Sequence, residues 1–275
     1  MRIVKAVSGL GARPASPRRT LPLRRLALAA GLAATATAAV VAAVPHSPAS
    51  QPPSHPVSGQ PSATLPTVRE LAYRASTAAL AAKPVSPGQW EYHKSTKTIA
   101  LKGRHDKDWT TETWQTADGL HSAWYYHGQL GVHATPTEGR DISYAELTKL
   151  PSSPPALAKY VYGREQQILG PEPADLNWQM TFDAIAGYFN YFVLPPKVAA
   201  TLFEALPSIP GVQVVKEPGS IAFIRSYGNL DTEKVNLNPS TYTVTGVVLT
   251  DPAARFHAQT TFSAWVPVSG PGARP

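Results

Sequence analysis

The sequence predicts an α+β fold built on an antiparallel sheet, preceded by one transmembrane helix and a disordered stalk. Three observations predict it. An uncharged stretch, Leu26–Val44, follows a leader that carries only positive charge. A Pro/Ser-rich segment, 45–66, comes next. Beyond it the patterns read as one helix, three strands, several helices, then four or five strands. Runs of strands, rather than strict strand–helix alternation, favour an antiparallel sheet over a doubly wound parallel one.

The leader accounts for the charge of the whole chain. Residues 1–25 hold Arg2, Lys5, Arg13, Arg18, Arg19, Arg24 and Arg25 and no acid. Removing these seven from the 25 Lys+Arg leaves 18, equal to the 18 Asp+Glu of the rest. An electrically balanced body offers no broad positive field for phosphates, so nucleic acid is not an expected partner. The chain has no Cys, which removes disulfides, thiolate metal sites and cysteine nucleophiles from consideration.

Leu26–Val44 contains ten Ala, three Leu, three Val, two Thr and one Gly. At about 1.5 Å per residue a helix of this length comes close to the hydrocarbon thickness of a bilayer. Cations on its N-terminal side alone predict a cytoplasmic N-terminus and an exported C-terminal part. Two readings stay open. The segment is a signal-anchor that keeps the protein on the cell membrane, or an export signal cleaved near Val41-Ala42-Ala43, which leaves a secreted domain. Residues 45–66 have seven Pro and five Ser and no charged side chain, a composition that cannot bury enough surface to offset ordering entropy. All 24 aromatic residues lie between Tyr73 and Trp265, so the core belongs to a domain spanning 67–275.

Within that domain, Thr67-Val68-Arg69-Glu70 reads as a capping box that opens a helix to about Ala82. Gln89–Thr98 alternates as a strand, with Trp90 and Tyr92 on one face and Glu91 and His93 on the other. Asp108–Thr116 and His121–Gln129 form a hairpin about Asp118-Gly119, with Thr110, Glu112 and Trp114 on one face of the first strand and Trp124 and Tyr126 on one face of the second. Ser152/Ser153 are placed to cap a helix starting at Pro154-Pro155 and running to about Tyr162. Trp178–Phe192, and a further helix that Pro195-Pro196 opens and that runs through Leu206, carry apolar stripes at helical spacing. Val212–Lys216, Ile221–Ser226, Lys234–Leu237, Tyr242–Leu249 and Arg255–Val266 complete the strands.

Several short stretches, taken in order, resemble one actinobacterial family. They are Pro87-Gly88-Gln89-Trp90-Glu91-Tyr92, Glu146-Leu147-Thr148-Lys149-Leu150-Pro151, Leu194-Pro195-Pro196 with Phe203-Glu204-Ala205-Leu206, Ile209-Pro210-Gly211-Val212, and Asn238-Pro239-Ser240-Thr241-Tyr242. The family consists of membrane-anchored extracytoplasmic proteins of uncharacterised function, often encoded near sigma-factor genes. The resemblance covers roughly residues 67–250. It departs at Asn238, where the family usually carries Asp, which weakens the expectation of a side-chain turn bond there. The shape it implies, a curved antiparallel sheet with helices packed on one face, is analogous to lipoprotein-carrier (LolA-like) half-barrels.

No linear catalytic signature is present: no nucleophile elbow, zinc-protease helix, phosphate loop or dinucleotide fingerprint. His121, His127 and His133 are evenly spaced, but Gly128 and Gly131 interrupt the run, so surface histidines are expected rather than a metal site. No cofactor and no catalytic residue is assigned. The acidic pairs Asp231/Glu233 and Glu112/Asp118 would support glycosidase-like chemistry only at defined separations. The aromatic cluster of residues 90–126 reads as sheet core, or as an apolar groove for a lipid or peptide lined by Trp114, Trp124 and Tyr126. The sequence thus points to a non-enzymatic domain, tethered through residues 26–44, that binds or senses a ligand or partner at the cell envelope. The alternatives are a cell-envelope hydrolase using acidic residues and a structural or interaction protein.

Overall fold

The computed structural model describes residues 65–275, apart from 102–103, 106–107, 127–128, 135–146, 171 and 229–230. The expected membrane segment 26–44 and nearly all of the stalk lie outside the described residues. Among the described residues, no helix is long and apolar enough to cross a membrane.

The described residues open with α1 (Val68–Leu80), fixed by the expected capping box: the Glu70 amide donates to Thr67 Oγ1 at 3.2 Å and the Thr67 amide to Glu70 Oε2 at 2.7 Å. Strands β1 (Trp90–Leu101), β2 (Arg104–His105), β3 (Trp109–Thr116), β4 (His121–Tyr126) and β5 (Gln129–Ala134) follow. Among the described residues, helices α2 (Pro154–Leu169), α3 (Ala174–Tyr191) and α4 (Pro196–Ala205) come next. The chain finishes with β6 (Gln213–Glu217), β7 (Ser220–Tyr227), β8 (Asp231–Leu237), β9 (Val244–Asp251), β10 (Phe256–Phe262) and β11 (Val266–Val268).

The strands form one open, curved antiparallel sheet in the order β5-β4-β3-β1-β10-β9-β8-β7-β6, with β2 and β11 also paired to β1. The expected α+β class and antiparallel pairing are both present, and the helices pack on one side, α3 lying across β7, β8 and β9. Alternation along the strands sends Ile221, Phe223, Val235 and Leu237 to that side. There they bury against Phe182, Ile185, Phe189, Leu202 and Phe203. Phe189 stacks on Phe203 at 4.4 Å between centroids.

A second, smaller core lies on the opposite side of the sheet, at its β1/β3/β4 end. Tyr92, Trp114, Ala123 and Val268 bury together, with Trp90, Leu130, Val266 and Ala273 packed around them. The C-terminal segment closes this cluster. The Trp114 indole donates to the Ala273 carbonyl at 2.5 Å, and Arg274 forks onto the Glu112 carboxylate at 2.8 and 2.6 Å. Tyr92 Oη also donates to Glu112 at 2.7 Å. These bonds, the one from Arg274 first, hold the Glu112 carboxyl down to about 2.

Four sequence expectations are corrected. Helix α2 continues past Gly163 to Leu169, because the residues after that glycine are good helix formers and the left-handed Gly170 (φ 85°) ends the helix. Ser153 precedes α2 without a side-chain capping bond. The predicted last strand is two strands, β10 and β11, both on the same edge of β1. Asn238 does make the turn bond despite replacing Asp: its Oδ1 accepts from the Ser240 and Thr241 amides at 2.8 and 3.1 Å.

Candidate functional site

Strand β1 carries a polar pair where a core position would ordinarily be apolar. Period-two alternation places Glu91 and His93 on the side that carries the helices, with Trp90 and Tyr92 on the other. Both polar residues are buried: Glu91 is 1% exposed and His93 5%. The register extends this polar character across three strands. Glu91 pairs with Gln115 of β3, and Gln115 pairs with Ser122 of β4. Gln115 and Ser122 are buried as well.

An aromatic wall stands beside this row, and a β-bulge builds it. Between the Tyr92–Val266 and Ser95–Phe262 pairs, β1 has two residues while its partner has three, Ser263, Ala264 and Trp265. The extra residue re-aims the local side chains, and Trp265 stacks on the His93 ring at 4.5 Å and 18°. Phe262 lies 5.4 Å from the same ring. Ser263 holds the bulge in place: its amide donates to the Lys94 carbonyl at 2.9 Å and its Oγ accepts from the Lys94 amide at 3.1 Å.

Among the described residues, Glu91 Oε1, His93 Nε2 and Trp265 Nε1 are buried atoms with no hydrogen-bond partner. A buried polar atom left unpaired costs about 1–3 kcal/mol, so three on one patch call for an explanation. Burial alone pushes the Glu91 carboxyl up from 4.5 to about 7 and the His93 imidazole down from 6.5 to about 4. The patch therefore sheds charge: at mildly acidic pH both groups are neutral. It offers one certain donor, the Trp265 N–H, and two groups whose role depends on proton position.

The residues expected to line an apolar groove do not share one surface. Trp114 pairs with Ala123, and Trp124 with Thr113, so the two tryptophans lie on opposite sides of the sheet. Trp114 is fully buried in the second core, against Tyr92 at 5.4 Å and Tyr125 at 5.7 Å. The hairpin register sends it to the side of the sheet opposite Trp124. Trp124 falls on the side of Glu91 and His93, where it stacks on His133 at 4.3 Å. Tyr126 pairs with Gln129, and its side chain lies outside the described residues.

The remaining candidates separate in the same way. His121 pairs with Ala134 and His133 with Ser122, which puts the two histidines on opposite sides of the sheet, and His127 lies outside the described residues. Among the described residues no three His, Cys, Asp or Glu side chains group for a metal ion. Glu112 is committed to Arg274 and Tyr92, and Asp118 to the hairpin turn, where it accepts from Thr116 Oγ1 at 2.6 Å and the Leu120 amide at 3.0 Å. Asp231 and Glu233 are buried on β8, Glu233 across from Arg225. The cross-strand neighbours of Glu91 are Gln115 and Pro267, neither a carboxylate.

The alternation that isolates Glu91 and His93 was legible in the sequence; their burial was not. Trp265 carried no signal at all, because it reaches His93 only through the bulge.

No family model matches the chain and no curated protein matches it. Solved structures similar to it include a DUF1329 family protein from Desulfovibrio piger (9% identity, TM-score 0.25), covering 74% of this chain and 92% of that one. A LolA superfamily protein from Nitrosomonas europaea has 5% identity and a TM-score of 0.23, with 75% and 96% covered. LprF from Mycobacterium bovis has 9% identity and a TM-score of 0.29, with 74% and 96% covered. At such TM-scores the likeness carries no weight for function, and the chain's own geometry has to supply it.

Proposed function

We infer that residues 67–275 form a non-enzymatic binding domain that takes a small amphiphilic ligand, a lipid or a short peptide, on the helix-bearing side of the sheet. The supporting observation is the patch of buried, unpartnered polar atoms at Glu91, His93 and Trp265, set against stacked aromatic rings. Ligand sites combine a largely apolar wall with a small number of polar groups that fix orientation, and this patch has both kinds of group. The sequence adds the setting: the basic leader and Leu26–Val44 deliver the domain across the membrane, and the Pro/Ser stalk holds it off the surface.

A cell-envelope hydrolase is the second reading. It is favoured by Glu91, whose value of about 7 suits a general acid or base. Against it, neither cross-strand neighbour of Glu91 is a carboxylate.

Native mass spectrometry of the full chain purified from membranes tests the binding reading. The expected result is a small molecule that leaves on denaturation. A chain that carries none, and gains none when offered amphiphiles, would contradict it. The mature N-terminal mass and the membrane fraction test the tether.

A further inference from the structure

The chemistry of the patch narrows its ligand, on the premise that the binding reading above holds. We propose that Glu91, His93 and Trp265 form a subsite for the uncharged hydrogen-bonding group of the ligand, a hydroxyl or an amide, and that this subsite discriminates against carboxylates and phosphates.

Three observations carry it. First, the unpartnered atoms are a fixed donor, Nε1 of the Trp265 ring that stacks on His93, a nitrogen of His93 itself, and a carboxyl oxygen of Glu91 two residues away on the same face of β1. A hydroxyl or amide both accepts and donates, so it matches any proton arrangement of Glu91 and His93 beside the Trp265 donor, whereas an anion can only accept. Second, among the described residues no cation pairs across from Glu91 or His93, and none shares their face of β1 before Lys97. Glu91 faces Gln115 and Pro267, and His93 faces Thr113. Lys97, the cation on the same side of β1, is four residues beyond His93, roughly 13 Å along the strand. It lies over the Trp109 ring. An anionic head would give up its hydration without an opposite charge to replace it. Third, the site's own groups respond to burial by losing charge, Glu91 by holding its proton and His93 by losing one. A buried patch that neutralises its own side chains penalises a charged guest by the same desolvation.

Chain-matched probes test this. Decan-1-ol, decanoate and decylammonium are offered to the purified full chain at equal free concentration, and bound fractions are read by native mass spectrometry. The expected result is decan-1-ol at least about tenfold tighter than decanoate, a difference worth about 1.4 kcal/mol. Glu91→Gln, which mimics the protonated acid, keeps that preference, and Glu91→Leu loses it. Trp265→Phe keeps the ring but removes the N–H, and lowers decan-1-ol binding several-fold without improving decanoate. Thermal melts confirm that each variant folds. Equal affinity for all three probes, or a preference that survives Glu91→Leu, overturns the subsite while leaving a binding domain in place. Failure of every probe to bind overturns the subsite and the binding reading together.

Discussion

Glu91 and His93 lie two residues apart on one face of β1, and burial drives their protonation in opposite directions, to about 7 and about 4. Between pH 4.5 and 6.5 an unfolded chain carries an ionised Glu91 and a protonated His93. The folded chain carries the acid protonated and the imidazole neutral. Folding in that window amounts to moving one proton from His93 to Glu91, with no net uptake.

Stability should therefore be nearly independent of pH over that window as far as these two groups are concerned. Single variants remove the balance. In Glu91→Gln only the His93 contribution remains; it is fully present above 6.5 and is lost as pH falls toward 4. In His93→Phe only Glu91 remains; its contribution is fully present below 4.5 and is lost as pH rises toward 7. Each slope approaches about 1.4 kcal/mol per pH unit for one proton. Urea unfolding from pH 4 to 8 reads both, and slopes of the same sign in the two variants would refute the assignment.

Arg225 is buried, 1% exposed, and it ties the sheet to the helical layer. Its guanidinium donates to the Pro210 carbonyl at 2.9 Å, to Gln179 Oε1 at 2.8 Å and to the Asp175 carbonyl at 3.1 Å, and it pairs with the Asp175 carboxylate. Arg225→Met should destabilise by about 2–3 kcal/mol, because it strands Gln179 and Pro210 acceptors. Arg225→Lys should recover little, since an ammonium cannot reproduce the fork. Asp175→Asn should cost under about 1 kcal/mol, its carboxylate being largely solvated. Denaturant midpoints compare the three.

The C-terminal segment should behave as part of the second core. Arg274→Ala removes the main influence holding Glu112 down, and its carboxyl should climb from about 2 toward 4.5, as followed by side-chain NMR titration. The depressed value stabilises the fold at neutral pH, and that contribution is lost as pH falls through the folded value. The variant should therefore lose stability near neutrality and show a weaker fall on acidification. An unmoved Glu112 would place Arg274 in solvent.

Two glycines should respond oppositely to a methyl group. Gly163 sits inside α2, where an added Cβ would meet nothing within 4 Å, so Gly163→Ala should stabilise by about 0.5–1 kcal/mol. At Gly246 an added Cβ would lie 2.5 Å from the Thr260 carbonyl oxygen, and Gly246→Ala should destabilise by about 1–3 kcal/mol. Thermal melts decide both.

The fold was largely legible because periodicity reports local structure. The faces of Trp90-Glu91-Tyr92-His93, the capping box at Thr67 and the Asp118-Gly119 hairpin all follow from short-range rules. The site was less legible because it depends on register and on a bulge. One residue of slip in the β3–β4 pairing would have put Trp114 beside Trp124, and nothing in the two strands alone fixes that slip. Trp265 meets His93 from more than 170 positions away, through an extra residue that no local pattern marks.

The most direct test of a ligand subsite on the helix-bearing side is the indole N–H resonance of Trp265, assigned through Trp265→Phe and followed while decan-1-ol is added to the full chain. A saturable downfield shift, absent with decanoate and abolished in Glu91→Leu, is the predicted result. A Trp265 resonance that stays put while others move would place any bound ligand elsewhere and contradict the account.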